Sequence, residues 1–196
     1  MATARPEQPE LVVADVAAWR SWLDEHEGTD DGVWLRLARK AAAADGGGPT
    51  TLVYPQALEE ALCSGWIDGQ SRRGDERTYL QRFTPRRARS LWSVRNTVLV
   101  ARLADEGRLR PRGLAEVERA RADGRWDRAY AGPATMEVPP ELRAALDADP
   151  ALAGLFAAQP AQDRYAACFQ VATAVTPAAR ARRVAAVLAR LGDGPG

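Results

Sequence analysis

The sequence predicts an α+β fold: a small antiparallel sheet with surrounding helices and a helical C-terminal subdomain. Two-residue alternation of apolar and polar side chains occurs only in short runs of the first half, whereas apolar residues at helical spacing fill the rest. Two Asx/Thr-Pro helix-start signals then fall in the last third. The expected division is an α+β domain over residues 1–134 and a helical C-terminal subdomain over 135–196. A chain of 196 residues can bury a real core as one domain, or as one domain with a helical appendage.

The elements follow in order. Asp15 is placed to cap a helix carrying Val16, Trp19 and Leu23 on one face, and Gly28 to end it. Over 33–40, Val33, Leu35 and Leu37 alternate with Trp34, Arg36 and Ala38, the period of a strand with one buried face. The segment AAAADGGGPTT has glycine and proline but little bulk, and is expected as a mobile connection. A helix over about 55–64 comes next, with Gly65 as its terminator. Residues 66–70 and 78–83 are short β-compatible runs separated by SRRGDER, which predicts a hairpin with a longer, basic loop.

Thr84-Pro85 breaks the second strand. Ser90 or Ser93 is then expected to cap a helix with Leu99 and Leu103 on one face and Gly107 at its end. Residues 111–123 predict another helix, with Leu114 and Val117 inward. Asp149-Pro150 and Thr176-Pro177 each pair an N-cap with proline at the first helical position. The faces Tyr165, Cys168, Phe169, Ala172 and Val184, Val187, Leu188, Leu191 belong to the last helices.

With 27 basic against 26 acidic side chains, the molecule as a whole carries no field for a polyanion, so any anion binding has to be local. The N-terminal MATARPEQPE lacks an apolar core of signal-peptide length, and no run of about 18 apolar residues occurs. A cytoplasmic location without membrane insertion is therefore expected. Cys63 and Cys168 lie among apolar neighbours far apart in the chain and are expected as reduced, buried thiols. A single histidine, His26, with no CxxC or HxxxH spacing leaves no material for a metal site. Gly46-Gly47-Gly48 lacks the GxxxxGK[ST] pattern and no GxGxxG follows a strand, so no nucleotide cofactor is implied.

Chemistry concentrates in residues 66–96, which read GWIDGQ, QRFTPRR and SLWSVRN. Eight arginines lie between Arg72 and Arg95 against only Asp75 and Glu76, a cluster that attracts phosphate or carboxylate or else forms a solvated basic face. Asp68, bracketed by Trp66, Ile67 and Gly69, is a candidate general base or counter-ion, or the acceptor of an Asx-turn or an arginine ion pair. Trp66 and Trp92 stand beside polar residues, where they are either stacking walls for a planar ligand or core. Ser90, Ser93 and Cys63 are possible nucleophiles, but His26 sits between Glu25 and Glu27 on an exposed-looking helix end, and triad chemistry lacks its base.

GVWLRLARK, ALEEALCSGWIDGQ, YLQRFTPRRARSLWS and GLAEVERARADGRWDRAY together resemble the bacterial YdeI/OmpD-associated, bacteriocin-protection proteins, over about residues 11–191. The resemblance implies tolerance of cationic antimicrobial peptides, bacteriocins and other envelope stress, without a defined biochemical activity. Its motif positions fall on Trp66, Asp68, Gly69, Gln70, Arg82, Phe83, Thr84, Pro85, Arg86, Arg87, Trp92 and Ser93. The glycine-rich 41–51 segment and Arg72 and Arg73 depart from the pattern.

The expected site is thus a pocket for a small anionic ligand or partner. Arg82, Arg86 and Arg87 supply charge, Trp66 and Trp92 walls, Asp68 and Gln70 orientation, and the Ser93 helix start backbone N–H groups. One alternative is an enzyme acting on a phosphorylated or acyl substrate with Asp68 as base. Another is nucleic-acid binding through the arginine strip, against which the near-zero net charge argues.

Overall fold

A computed structural model describes residues 9–26, 28 and 31–193. In chain order the elements are β1 (Glu10–Leu11), α1 (Val16–His26), β2 (Val33–Ala38), α2 (Lys40–Asp45), α3 (Tyr54–Cys63), β3 (Trp66–Arg73) and β4 (Thr78–Pro85). They continue with α4 (Val94–Asp105), α5 (Pro111–Ala122), α6 (Pro140–Asp147), α7 (Pro150–Ala158), α8 (Ala161–Ala172) and α9 (Pro177–Gly192). The fold is α+β, as the alternation and helix-start signals predict. Two compact units are resolved: the described residues of Met1–Ser90 with Asn96–Trp126, and Leu91–Arg95 with the described residues of Asp127–Gly196.

The first unit holds a four-stranded sheet in the order β1-β2-β4-β3. The β2-β4 and β3-β4 pairings are antiparallel, while β1 runs parallel to β2, an edge strand too short for alternation to reveal. One face of the sheet carries Val33, Leu35, Leu37 and Phe83, all buried. Against it lies α1, whose Asp15 cap accepts from the Ala18 N–H at 2.9 Å and whose Trp19 and Leu23 are buried. Trp19 ties α1 to α3 by donating its indole N–H to the Ala57 carbonyl at 3.1 Å. Burying side chains of this size contributes roughly 1.5–3 kcal/mol each, so the Trp19, Trp66 and Phe83 cluster anchors the unit.

The hairpin connection is shorter than SRRGDER suggests, because both strands extend and leave only residues 74–77 between them. Asp75 replaces the missing length by accepting from the Arg77 and Thr78 N–H groups and the Thr78 hydroxyl at 2.6–3.0 Å. A Cβ at Gly74 would meet the Thr78 carbonyl oxygen at 2.7 Å, so this tight turn needs glycine. The AAAADGGG segment is also more ordered than expected: its alanines form α2, ended by Gly46 at φ 65°.

In α5 the buried face is Gly113, Glu116, Val117 and Ala120, so Leu114 points outward at 45 % exposure rather than inward. In the second unit Asp149 accepts from the Ala151 and Leu152 N–H groups and Thr176 from that of Ala179, the two caps their proline signals predict. Leu142, Phe156, Cys168, Val171, Val187 and Leu191 form its core. No helix among the described residues is long and apolar enough to cross a membrane.

Candidate functional site

The β3-β4 register decides which motif residues can meet. Asp68 pairs with Phe83 and Ser71 with Gln81, so Gly69 and Gln70 together stand opposite Arg82 in a β-bulge. Gln81 holds the bulge, its side-chain amide donating to the Gly69 and Gln70 carbonyls at 2.8 and 3.2 Å. Asp68 therefore shares the helix-covered face with Phe83 and Trp66, whereas Arg82 pairs with Trp34 on the other face. Arg72 joins that second face, its guanidinium 3.9 Å from the Trp34 ring centroid. The single concavity expected to hold Asp68 and Arg82 together is not formed.

The remaining motif residues divide as well. Trp66 has no exposed surface and packs edge-on against Trp19 and Trp22 at centroid distances of 6.5 and 5.8 Å, so it is a wall of the core rather than of a ligand pocket. Gln70 is exposed in the bulge. Arg86 is 4 % exposed, and its backbone N–H donates to the Gly65 carbonyl at 3.0 Å. Arg87 is exposed, and its N–H donates to the Ser90 hydroxyl at 2.9 Å, so Ser90 closes this turn instead of capping α4. Trp92 and Ser93 belong to the second unit, where Trp92 is 2 % exposed and Ser93 forms a bridge with Tyr130.

Two residues hold this region in place: Arg125, which sequence reading missed, and Gly65, the expected terminator of α3 and the first residue of GWIDGQ. Arg125 donates to the Ser90 carbonyl at 2.8 Å while its Nε is held by Asp123, which latches the RFTPRR turn from a site far along the chain. Gly65, at φ 72°, makes the reversal from α3 into β3, and a Cβ there would press on α5 at Glu116 and the Arg112 carbonyl.

A concave surface adjoins the motif where Tyr79, paired with Leu37, lies on Asp68's side of the sheet. The Tyr54 hydroxyl, at the first turn of α3, donates to Asp68 Oδ2 at 2.9 Å. Tyr54 also lines a cleft of about 470 Å³ with Ala38, Arg39, Lys40, Val53, Pro55 and Tyr79. Arg39 and Lys40, both exposed, bring two positive charges where β2 gives way to α2. The N-terminal end of α3 adds its positive dipole end at the cleft edge. Burial pushes the Tyr79 phenol above its ordinary value, and Arg39, 5.7 Å from its ring centroid, pulls the other way. Sequence offered no spacing signal for this cleft, since its lining comes from three separated segments.

Several polar groups are spoken for by packing. Glu60 is buried and takes Arg20, Arg108 and Arg110 at 2.7, 2.9 and 3.2 Å. Burial would raise its carboxyl, but those guanidinium groups outweigh it and hold the pKa at about 2. Around this centre Glu59 and Glu106 pair with Arg102 and Arg108, and Asp24 with Arg110. Burial, followed by the Glu60 charge, pushes the Cys63 thiol up to about 11, which removes it as a nucleophile near neutral pH. The His26 ring stacks on Trp22 at 4.4 Å, a packing role. Among the described residues no group of three or more His, Cys, Asp or Glu side chains is arranged to hold a metal ion.

Residues 11–116, which contain the cleft and the whole 66–96 stretch, match the model of a family described as a domain of unknown function, DUF8412. Residues 135–194 match the model of the family described as bacteriocin-protection, YdeI or OmpD-associated. The resemblance seen in the sequence is thus shown over the C-terminal segment, while its GWIDGQ and QRFTPRR motifs fall under the first match. No curated protein and no solved structure gives a significant match.

Proposed function

Since this chain belongs to the DUF8412 family and ends in a bacteriocin-protection-type segment, we propose that it is a cytoplasmic stress-tolerance protein whose first unit binds a small anionic ligand in the cleft beside Asp68. At the level of the family, the C-terminal match suggests a bacteriocin-protection-like function. The observation that carries the ligand reading is the meeting of Arg39, Lys40 and the α3 N-terminus around one cleft. In a chain of net charge +1 this is a local concentration of positive potential, and concave walls keep water from screening it fully. Asp68 acts as a positioning group, accepting the hydrogen bond of the Tyr54 hydroxyl and so fixing that ring at the cleft.

The anion site thereby moves from Arg82, Arg86 and Arg87 to Arg39 and Lys40. A cationic bacteriocin is repelled by such a site, so tolerance works through the ligand rather than through capture of the peptide. The buried, free thiols Cys63 and Cys168 agree with a reducing compartment, which cell fractionation checks directly.

Thermal unfolding with millimolar phosphate, acetate or benzoate tests the site. At least one of these anions is expected to raise the wild-type midpoint by a few degrees, as a ligand at about ten times its Kd stabilises by roughly 1.4 kcal/mol. The Arg39→Ala, Lys40→Ala double variant changes only exposed side chains and should fold yet lose the response. Equal shifts in variant and wild type, or no shift with any anion, would sink the proposal.

A further inference from the structure

Resting on the anion-binding reading of the cleft, we propose that its ligand is a planar aromatic carboxylate rather than a bare inorganic anion. The lining supplies charge at few points and carbon nearly everywhere else. Ala38, Val53 and Pro55 are apolar, and Tyr54 and Tyr79 add two rings. A hydrated phosphate held by Arg39 and Lys40 leaves those walls against water and gains nothing from them. A volume of about 470 Å³ also exceeds what acetate fills and lies in the range of sites for organic ligands.

An aromatic carboxylate satisfies both halves. Its carboxylate takes the guanidinium of Arg39 and the ammonium of Lys40, the only lysine among 27 basic side chains. Its ring lies against the tyrosines and Pro55, where offset or edge-on aromatic contacts add to the gain from burial. Arg39 already stands 5.7 Å from the Tyr79 ring centroid, so the cation that meets the carboxylate is placed beside the ring that meets the aromatic body. The Tyr54 hydroxyl, donating to Asp68 at 2.9 Å, holds the second ring in a fixed orientation and lowers the ordering cost of binding.

Calorimetric titration of the full chain with benzoate, cyclohexanecarboxylate, acetate and inorganic phosphate tests this. Benzoate is expected to bind at least ten-fold more tightly than acetate and phosphate, and several-fold more tightly than cyclohexanecarboxylate. That preference should vanish in the Arg39→Ala, Lys40→Ala variant and persist in Arg82→Ala, whose side chain is on the opposite sheet face. Phosphate or acetate binding as tightly as benzoate overturns the aromatic ligand while leaving the anion site intact, and equal binding of cyclohexanecarboxylate overturns the requirement for a planar ring. Benzoate binding that survives in the double variant, or that is lost in Arg82→Ala, overturns the placement. No anion binding at all overturns both this inference and the reading it rests on.

Discussion

Gly113 shows how a single residue can fix the approach of two helices. A Cβ at this position would stand 2.2 Å from the Cys63 carbonyl oxygen, a backbone atom at the end of α3 that has no freedom to move aside. That carbonyl also accepts from the Arg110 N–H at 3.0 Å, so displacing it breaks a second contact. Gly113→Ala is expected to destabilise by about 3 kcal/mol despite its better helix propensity, read as a lower urea midpoint with unchanged slope. From sequence, Gly113 is merely a weak point inside a helix, and Leu114 beside it is the natural inward residue. The close approach to α3 turns α5 so that Gly113, Glu116, Val117 and Ala120 face inward and Leu114 faces water. Trp66 teaches the same lesson in reverse: its polar neighbours suggested a ligand wall, but rings from α1, more than forty residues earlier, claim it for the core.

Helices α1, α3 and the segment after α4 are joined through Glu60, a carboxylate that hydrophobic patterning hides inside ALEEALC. Its partners lie forty to fifty residues away, which is why spacing rules do not find them. Glu60→Gln takes the shared carboxylate from three guanidinium groups that keep solvent or their other acidic partners, and a loss of roughly 1.5–3 kcal/mol is expected. The pH dependence has a definite sign. Because the folded pKa, about 2, lies below the ordinary carboxylate range, Glu60 contributes stability above that range and loses it as the pH falls toward 2. Urea midpoints at pH 7 and pH 3 should therefore differ less in Glu60→Gln than in the wild type. A variant with the same acid sensitivity as the wild type contradicts the assignment.

At the scale of the molecule, the fold class was legible because alternation, caps and proline positions are local signals, and Asp15, Asp149 and Thr176 act as those signals predict. The cleft was not legible, since residues 38–40, 53–55 and 79 meet only after the sheet has formed. Of the arginines near the hairpin, Arg77 pairs with Asp45, Arg36 with Glu10 and Asp75, and Arg72 covers Trp34. With net charge +1 and these three arginines so engaged, the protein is expected to show no oligonucleotide binding by fluorescence anisotropy at ordinary ionic strength. Binding with a steep salt slope would restore the nucleic-acid reading.

The bulge at Gly69 and Gln70 also gives the hairpin one place where its length is not fixed. With two residues opposite Arg82, losing either one restores a regular ladder, and Asp68 still meets Phe83 while Ser71 still meets Gln81. Anywhere else along β3 a one-residue deletion inverts every side chain beyond it, turning buried faces toward water. The strand that carries the motif thus tolerates a change of length at a single joint, and that joint lies beside the aspartate that steadies Tyr54.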